Sequence, residues 1–253
     1  MKTSRYSNLR LLVSNHFLSC INRVSRHFKV VAIIALIVPL IGCNGSKKEK
    51  YIVTIGDSNG ASKTGWVVQL KKIRPQDIIL NYSVSGNTVG FDNLDQERLN
   101  TLKNIDNYLL KAFDSTKTVD AVILLLGTND AKAVFDSLQN EVPKNMELLI
   151  SQIRKSFKDF DKGEPSIILV SPPPYGPDSI LAEKYKGGNK RVSIIAKSYE
   201  ILADKNGVKY VNVYDELNKN FMYYSKDGVH LNEEGQNIMA SKIDSILNLV
   251  LDR

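Results

Sequence analysis

Cysteine is nearly absent: the 253 residues hold two, Cys20 and Cys43. One pair cannot make a disulfide framework, and no cysteine–histidine cluster of zinc-binding spacing exists. Histidine is almost as scarce, with His16, His27 and His230. Also missing is an apolar run long enough to cross a bilayer, which takes about 20 residues. The longest candidate is the uncharged stretch VVAIIALIVPLIG, Val30 to Gly42. Acidic residues are absent before it, where Lys2, Arg5, Arg10, Arg23, Arg26 and Lys29 all lie. The formal net charge is +7, and these six side chains account for most of it, so the chain after residue 42 is near +1. No basic stripe interleaved with aromatics remains, which argues against a nucleic-acid partner. Internal repeats and low-complexity tracts are missing too.

A basic segment followed by a short apolar core has the form of a secretory signal. The run ends LIGC, Leu40 to Cys43, which resembles the lipobox of bacterial lipoproteins. The resemblance implies cleavage before Cys43 and lipidation of that cysteine. Residues 1–42 are then expected to be a signal peptide. Residues 43–50, ending NGSKKEK, form a lipidated cysteine with a polar tether, and residues 51–253 form one domain of the cell envelope, held to a membrane on the exported side. An extended tether of this length reaches about 25 Å at most. With the leader gone, His230 is the only histidine left.

From Tyr51 onward, short apolar runs alternate with longer amphipathic stretches. Tyr51–Ile55, Ile78–Val84, Ala121–Leu126, Ser166–Ser171 and Val208–Val213 are rich in Val and Ile and nearly continuous in apolarity, as buried parallel strands are. Helices are expected over Gly65–Lys72, Asn93–Phe113, Lys144–Phe157, Lys190–Lys205 and Asn232–Leu249. Pro143 suits a helix start and Asn206-Gly207 a helix stop. Such alternation predicts an α/β domain with an open, mostly parallel five-stranded sheet. Ligands of such sheets bind at the carboxyl ends of the strands.

Four short motifs fall at those ends. GDSNG (Gly56–Gly60) follows the first strand and places Ser58 at a strand-to-helix turn. SVSGNT (Ser83–Thr88) follows the second, with Gly86 free to let backbone approach a ligand. LGTND (Leu126–Asp130) follows the third and offers the Asn129 amide. DGVH places Asp227 and His230 three apart, ahead of the last helix. Taken singly, each fits ordinary turn or cap chemistry. Together they supply every role of an acyl-transfer site: a nucleophile, a general base with a carboxylate to orient it, and oxyanion donors. Trp66, the only tryptophan, is expected in the core.

In order and spacing the four blocks resemble the SGNH (GDSL-type) hydrolase family over nearly all of residues 51–253. SPPPYGP (Ser171–Pro177), YKGGNKR (Tyr185–Arg191) and LGTNDAKAVF (Leu126–Phe135) are similar to its arylesterase-like branch. The resemblance implies a three-layer α/β/α sandwich, flavodoxin-like in topology, with no metal and no cofactor. It implies Ser58 as nucleophile, Asp227 and His230 as the rest of the triad, and the Ser58 N–H, Gly86 N–H and Asn129 side chain as oxyanion donors. The implied activity is hydrolysis of short-chain acyl esters, acetyl foremost, from a small ester or acetylated glycan. A thioesterase or lysophospholipase of the same family, or a binding lipoprotein without activity, are the alternatives. One departure stands out: Asn59-Gly60 follows the serine where the family more often has Leu-Ser or Leu-Thr.

Overall fold

The computed structural model describes residues 48–251, Lys117 excepted. The proposed leader (residues 1–42) and Cys43 lie outside the described residues. Among those described, no helix is long and apolar enough to cross a membrane.

Five strands form one sheet: β1 (Tyr51–Gly56), β2 (Ile78–Asn81), β3 (Ala121–Leu125), β4 (Ser166–Val170) and β5 (Lys209–Val211). Every pairing is parallel and the order is β2-β1-β3-β4-β5. This is the flavodoxin-like order, whose topological switch point lies between β1 and β3. The segments after β1 and β3, carrying Ser58 and Asn129, flank that point.

Alternation along each strand divides the core in two, because successive side chains point to opposite faces. Val53, Ile55, Val122, Leu124, Ile167 and Leu169 face helices α3 (Thr101–Ser115), α4 (Glu141–Asp159) and α5 (Gly188–Asn206). Ile52, Ile123, Leu125, Ile168 and Val170 face α2 (Trp66–Ile73) and α8 (Glu233–Leu251). The result is the expected three-layer sandwich. Trp66 is fully buried in the second layer, as expected of the only tryptophan. One-turn helices α1 (Ser58–Ala61), α6 (Tyr214–Asn218) and α7 (Phe221–Tyr224) complete the helices used below.

Two expected boundaries move. Helix α4 starts at Glu141, so Pro143 is its third residue; an N–H missing there costs no hydrogen bond, because the first four have no intrahelical partner. The larger change is at Asn93–Phe113, where the helix begins only at Thr101. Leu94 and Asp95 take left-handed backbone (φ 57° and 56°) in the first of two short 3₁₀ turns. Tertiary pairing overrides the helical period here. The Thr88 N–H donates to the Leu99 carbonyl at 2.9 Å, and the Thr101 N–H to the Thr88 carbonyl at 3.2 Å. Backbone that the periodicity assigns to a helix instead clamps the loop that carries Gly86. Asn100 then caps α3, accepting from the Lys103 N–H at 3.4 Å.

Candidate active site

Ser58 opens α1, directly after β1. Asp57 caps that turn: it accepts the Asn59 N–H at 2.9 Å and is fully buried. Burial raises its pKa, partly offset by the Asn59 N–H. Ser58 itself is half-buried, at the boundary between core and solvent.

Asp227 and His230 lie in the loop before α8. Val229 is buried in the first core layer and Leu231 in the second, so the residue between them is left facing outward. That placement makes His230 an exposed imidazole on a fixed backbone. Asp227 Oδ1 accepts the Val229 and His230 N–H groups at 2.9 and 2.8 Å, and its Oδ2 lies 2.6 Å from His230 Nδ1. Burial raises the Asp227 pKa, but the His230 ring and the two N–H donors outweigh it and lower the value to about 2. The carboxylate is therefore ionised at neutral pH. It holds Nδ1 and leaves Nε2 free to take a proton. Gly228 needs its left-handed backbone (φ 78°), and an added Cβ there would meet Leu181 at 2.7 Å.

Gly86 is the third residue of a turn closed by the Asn87 N–H on the Val84 carbonyl at 3.0 Å. Its φ of 94° is what a turn with a flipped middle peptide requires, and that flip decides which way the Gly86 N–H points. Asn129 is nearly buried and donates from Nδ2 to the Asn87 carbonyl at 3.0 Å. An amide NH₂ carries two hydrogens, so this bond orients the group and leaves one donor over. Asn87 Nδ2 in turn donates to the Gly56 carbonyl at 3.2 Å. The ends of β1, β2 and β3 are thus laced together through two asparagines. Beneath them Asp130 is fully buried and accepts the Val89 N–H. Burial pushes its pKa up to about 7, against the Val89 N–H.

All five residues singled out in the sequence lie at the carboxyl end of the sheet. The Asp227–His230 pair is in direct contact, and Asn129 is bonded to the Gly86 turn. Ser58 makes no hydrogen bond to the His230 ring among the described residues; such bonds are often long in unliganded enzymes and tighten with substrate. Their segments are joined instead by Asn59, the residue that departs from the family pattern. Its Oδ1 accepts Gln236 Nε2 at 2.9 Å and the Leu231 N–H at 3.5 Å, while Gln236 Oε1 accepts the Trp66 N–H at 2.9 Å. The residue after the serine therefore grips the residue after the histidine. Neither periodicity nor motif spacing could have flagged Asn59, Asn87 or Gln236, because their partners lie far away in sequence. Among the described residues, no group of three or more His, Cys, Asp and Glu side chains could hold a metal.

A groove of about 790 Å³ runs beside the histidine loop, lined by Tyr175, Asn189, Asn218, Asn220, Met222 and Tyr223 among others. The Gly176 N–H on its wall donates to the Gly228 carbonyl at 2.8 Å. Ser58, Asn129 and His230 are not part of its lining.

The fold recurs in solved enzymes. A carbohydrate acetylesterase from Sinorhizobium meliloti is 23% identical, with a TM-score of 0.65 over 79% of this chain and 100% of its own. An M. smegmatis aryl esterase in an inhibitor-bound form is 21% identical, with a TM-score of 0.67 over 79% of this chain and 99% of its own. A lipase/acylhydrolase from Enterococcus faecalis is 18% identical, with a TM-score of 0.61 over 78% and 95%. A search of the curated proteins finds no match. The model of the GDSL-like lipase/acylhydrolase family matches residues 49–238, a span that takes in all four motifs. The chain belongs to that family, and is a carboxylic ester hydrolase of the SGNH type.

Proposed function

We propose that the protein is a serine esterase that removes short acyl groups, acetyl foremost, from a carbohydrate or other small ester. The observation that carries this reading is the 2.6 Å contact of Asp227 with His230 Nδ1, at the same sheet end as Ser58, Gly86 and Asn129. His230 Nε2 takes the Ser58 proton as Oγ attacks the ester carbon. The carbonyl oxygen becomes an oxyanion, received by the Ser58 and Gly86 N–H groups and the spare Asn129 hydrogen. The bond to the alcohol oxygen then breaks, and the imidazolium returns its proton to that oxygen. An acyl group remains on Ser58. Water, deprotonated by His230, releases it as the acid and restores the serine. The carbohydrate acetylesterase among the solved structures supports the same substrate class.

Hydrolysis of a p-nitrophenyl ester series from acetate to longer chains, with an acetylated sugar in parallel, tests the substrate class. Acetate and the sugar ester are expected to be turned over best. A clear preference for long chains would move the reading toward a lipid ester. Within that assay Asn129→Ala should lower kcat by roughly 10²–10³, the scale for one oxyanion donor. An unchanged kcat in the folded variant would reduce Asn129 to a loop tie.

The site of action follows from the segment Val30–Cys43. The enzyme sits on the exported side of the cell envelope, anchored through lipid on Cys43. Cys43→Ser should abolish metabolic labelling with radioactive palmitate and accumulate precursor. A mature protein that starts elsewhere and carries no lipid would overturn the anchor.

A further inference from the structure

Lys132 lies two residues beyond Asp130, and its ammonium has no part in the reaction above. Only 6% of the residue is exposed. Among the described residues it forms no ion pair; its polar contact is with Asn93, Nζ to Oδ1 at 3.3 Å, and the Tyr185 ring centroid lies 5.8 Å away. Burial lowers its pKa, helped by the Lys184 charge and opposed by Asp130 and Asp57. Burying an ammonium with no carboxylate partner is costly, and an apolar chain of the same length would fill the space without that cost. Its side-chain hydrogen bond is to Asn93, so the charge bears first on that residue.

Asn93 is itself buried, and from Nδ2 it donates to the Gly86 carbonyl at 2.6 Å. An amide side chain accepts at one end and donates at the other, whereas an ammonium can only donate. With Lys132 on one side, Asn93 has to turn its oxygen toward the lysine and its NH₂ toward Gly86. Released from the lysine, the amide loses the bond that holds its oxygen end and can swing away from the Gly86 carbonyl. Gly86 is the residue whose turn decides where its N–H points, and Asn129 secures the same turn from the other side through the Asn87 carbonyl.

We propose that Lys132 is a positioning residue of the oxyanion site: by donating to Asn93 Oδ1 it fixes the amide that holds the Gly86 carbonyl, and so keeps the Gly86 N–H aimed at the substrate. The proposal rests on the reading of Gly86 as an oxyanion donor. The lysine touches no reacting atom and acts through Asn93.

Steady-state kinetics on p-nitrophenyl acetate, a neutral substrate, test this with Lys132→Met, Asn93→Asp and the double variant, each checked for folding by circular dichroism. Asn93→Asp keeps an acceptor for the lysine but, as a carboxylate, cannot donate to Gly86. Each single variant should lose about tenfold to a hundredfold in kcat, less than the 10²–10³ for a donor removed outright, with KM within about threefold. The double variant should be little worse than Asn93→Asp alone, because one effect runs through the other. Lys132→Arg, still an obligate donor, should restore most of kcat. Should Lys132→Met fail to fold, Lys132→Arg and Asn93→Asp still decide between the outcomes. An unchanged kcat in Asn93→Asp overturns the proposal. So do additive losses, or a Lys132→Met effect confined to KM, which would make the lysine a substrate-binding group. Ser58→Ala separates the two levels: if it retains activity, the esterase reading fails, whereas an inactive Ser58→Ala beside an unaffected Lys132→Met sinks the positioning role alone.

Discussion

Ser58→Ala and His230→Ala are each expected to cut ester turnover by on the order of 10⁶, and the double variant should be little worse than either. That is the scale and the pattern for a nucleophile and base that act as one unit. The structure adds a reason why no other group rescues the loss. Among the described residues His230 is the only histidine, so none of them offers a second imidazole as base. Asp227→Ala should cost less, since the carboxylate orients the ring and stabilises the imidazolium without taking the proton. Its pKa, lowered to about 2, means that Asp227 stays ionised across the range where ester hydrolysis is assayed. Protonation of Asp227 should therefore contribute nothing to any loss of activity on mild acidification. Stopped-flow and steady-state assays with p-nitrophenyl acetate measure these quantities. A His230→Ala enzyme that keeps most of its activity would sink the assignment of the base.

Arg74→Met is expected to destabilise the domain by about 3–5 kcal/mol, the range for breaking a buried ion pair from one side. Arg74 closes α2, and its side chain is 2% exposed. Its Nε donates to Asp77, itself buried, and its Nη1 to Asp244 Oδ1 at 2.7 Å and Asn248 Oδ1 at 2.9 Å, both on α8. Removing the guanidinium leaves the Asp77 carboxylate in the core with one partner fewer, the Lys50 N–H at 3.2 Å remaining. The exposed pair Lys72–Glu233 joins the same two helices at 3.0 Å, yet its side chains are 60% and 57% exposed. Water screens that pair, so Lys72→Met should change stability by less than about 1 kcal/mol. Urea unfolding of the two variants side by side distinguishes the effects. A loss below about 1 kcal/mol for Arg74→Met would show that the cluster contributes no more than a surface pair. The link matters for the site, because α8 also carries Gln236, which holds Asn59 beside Ser58.

The layer structure was legible in the chain because parallel strands covered on both faces have to be apolar throughout, and helices between them have to be amphipathic. All five strands were found within a few residues of their ends for that reason. The site was legible in its motifs because Gly, Ser, Asn and Asp at strand ends each have few structural uses and together fit one chemistry. Sequence alone thus determined the fold class, the sheet end that carries the chemistry and the candidate residues on it. It could not determine what holds those residues in place. The stretch from Asn93 to Asn100 has a helical period, but its backbone is drawn into pairing with Thr88, a preference that exists only when the Gly86 loop lies alongside. Asn59, Asn93, Lys132 and Gln236 look like ordinary polar surface residues, yet all are buried. The tertiary structure decided their roles, since a buried polar group takes its meaning from the partner that satisfies it. For Asn59 and Gln236 those partners are 177 residues apart.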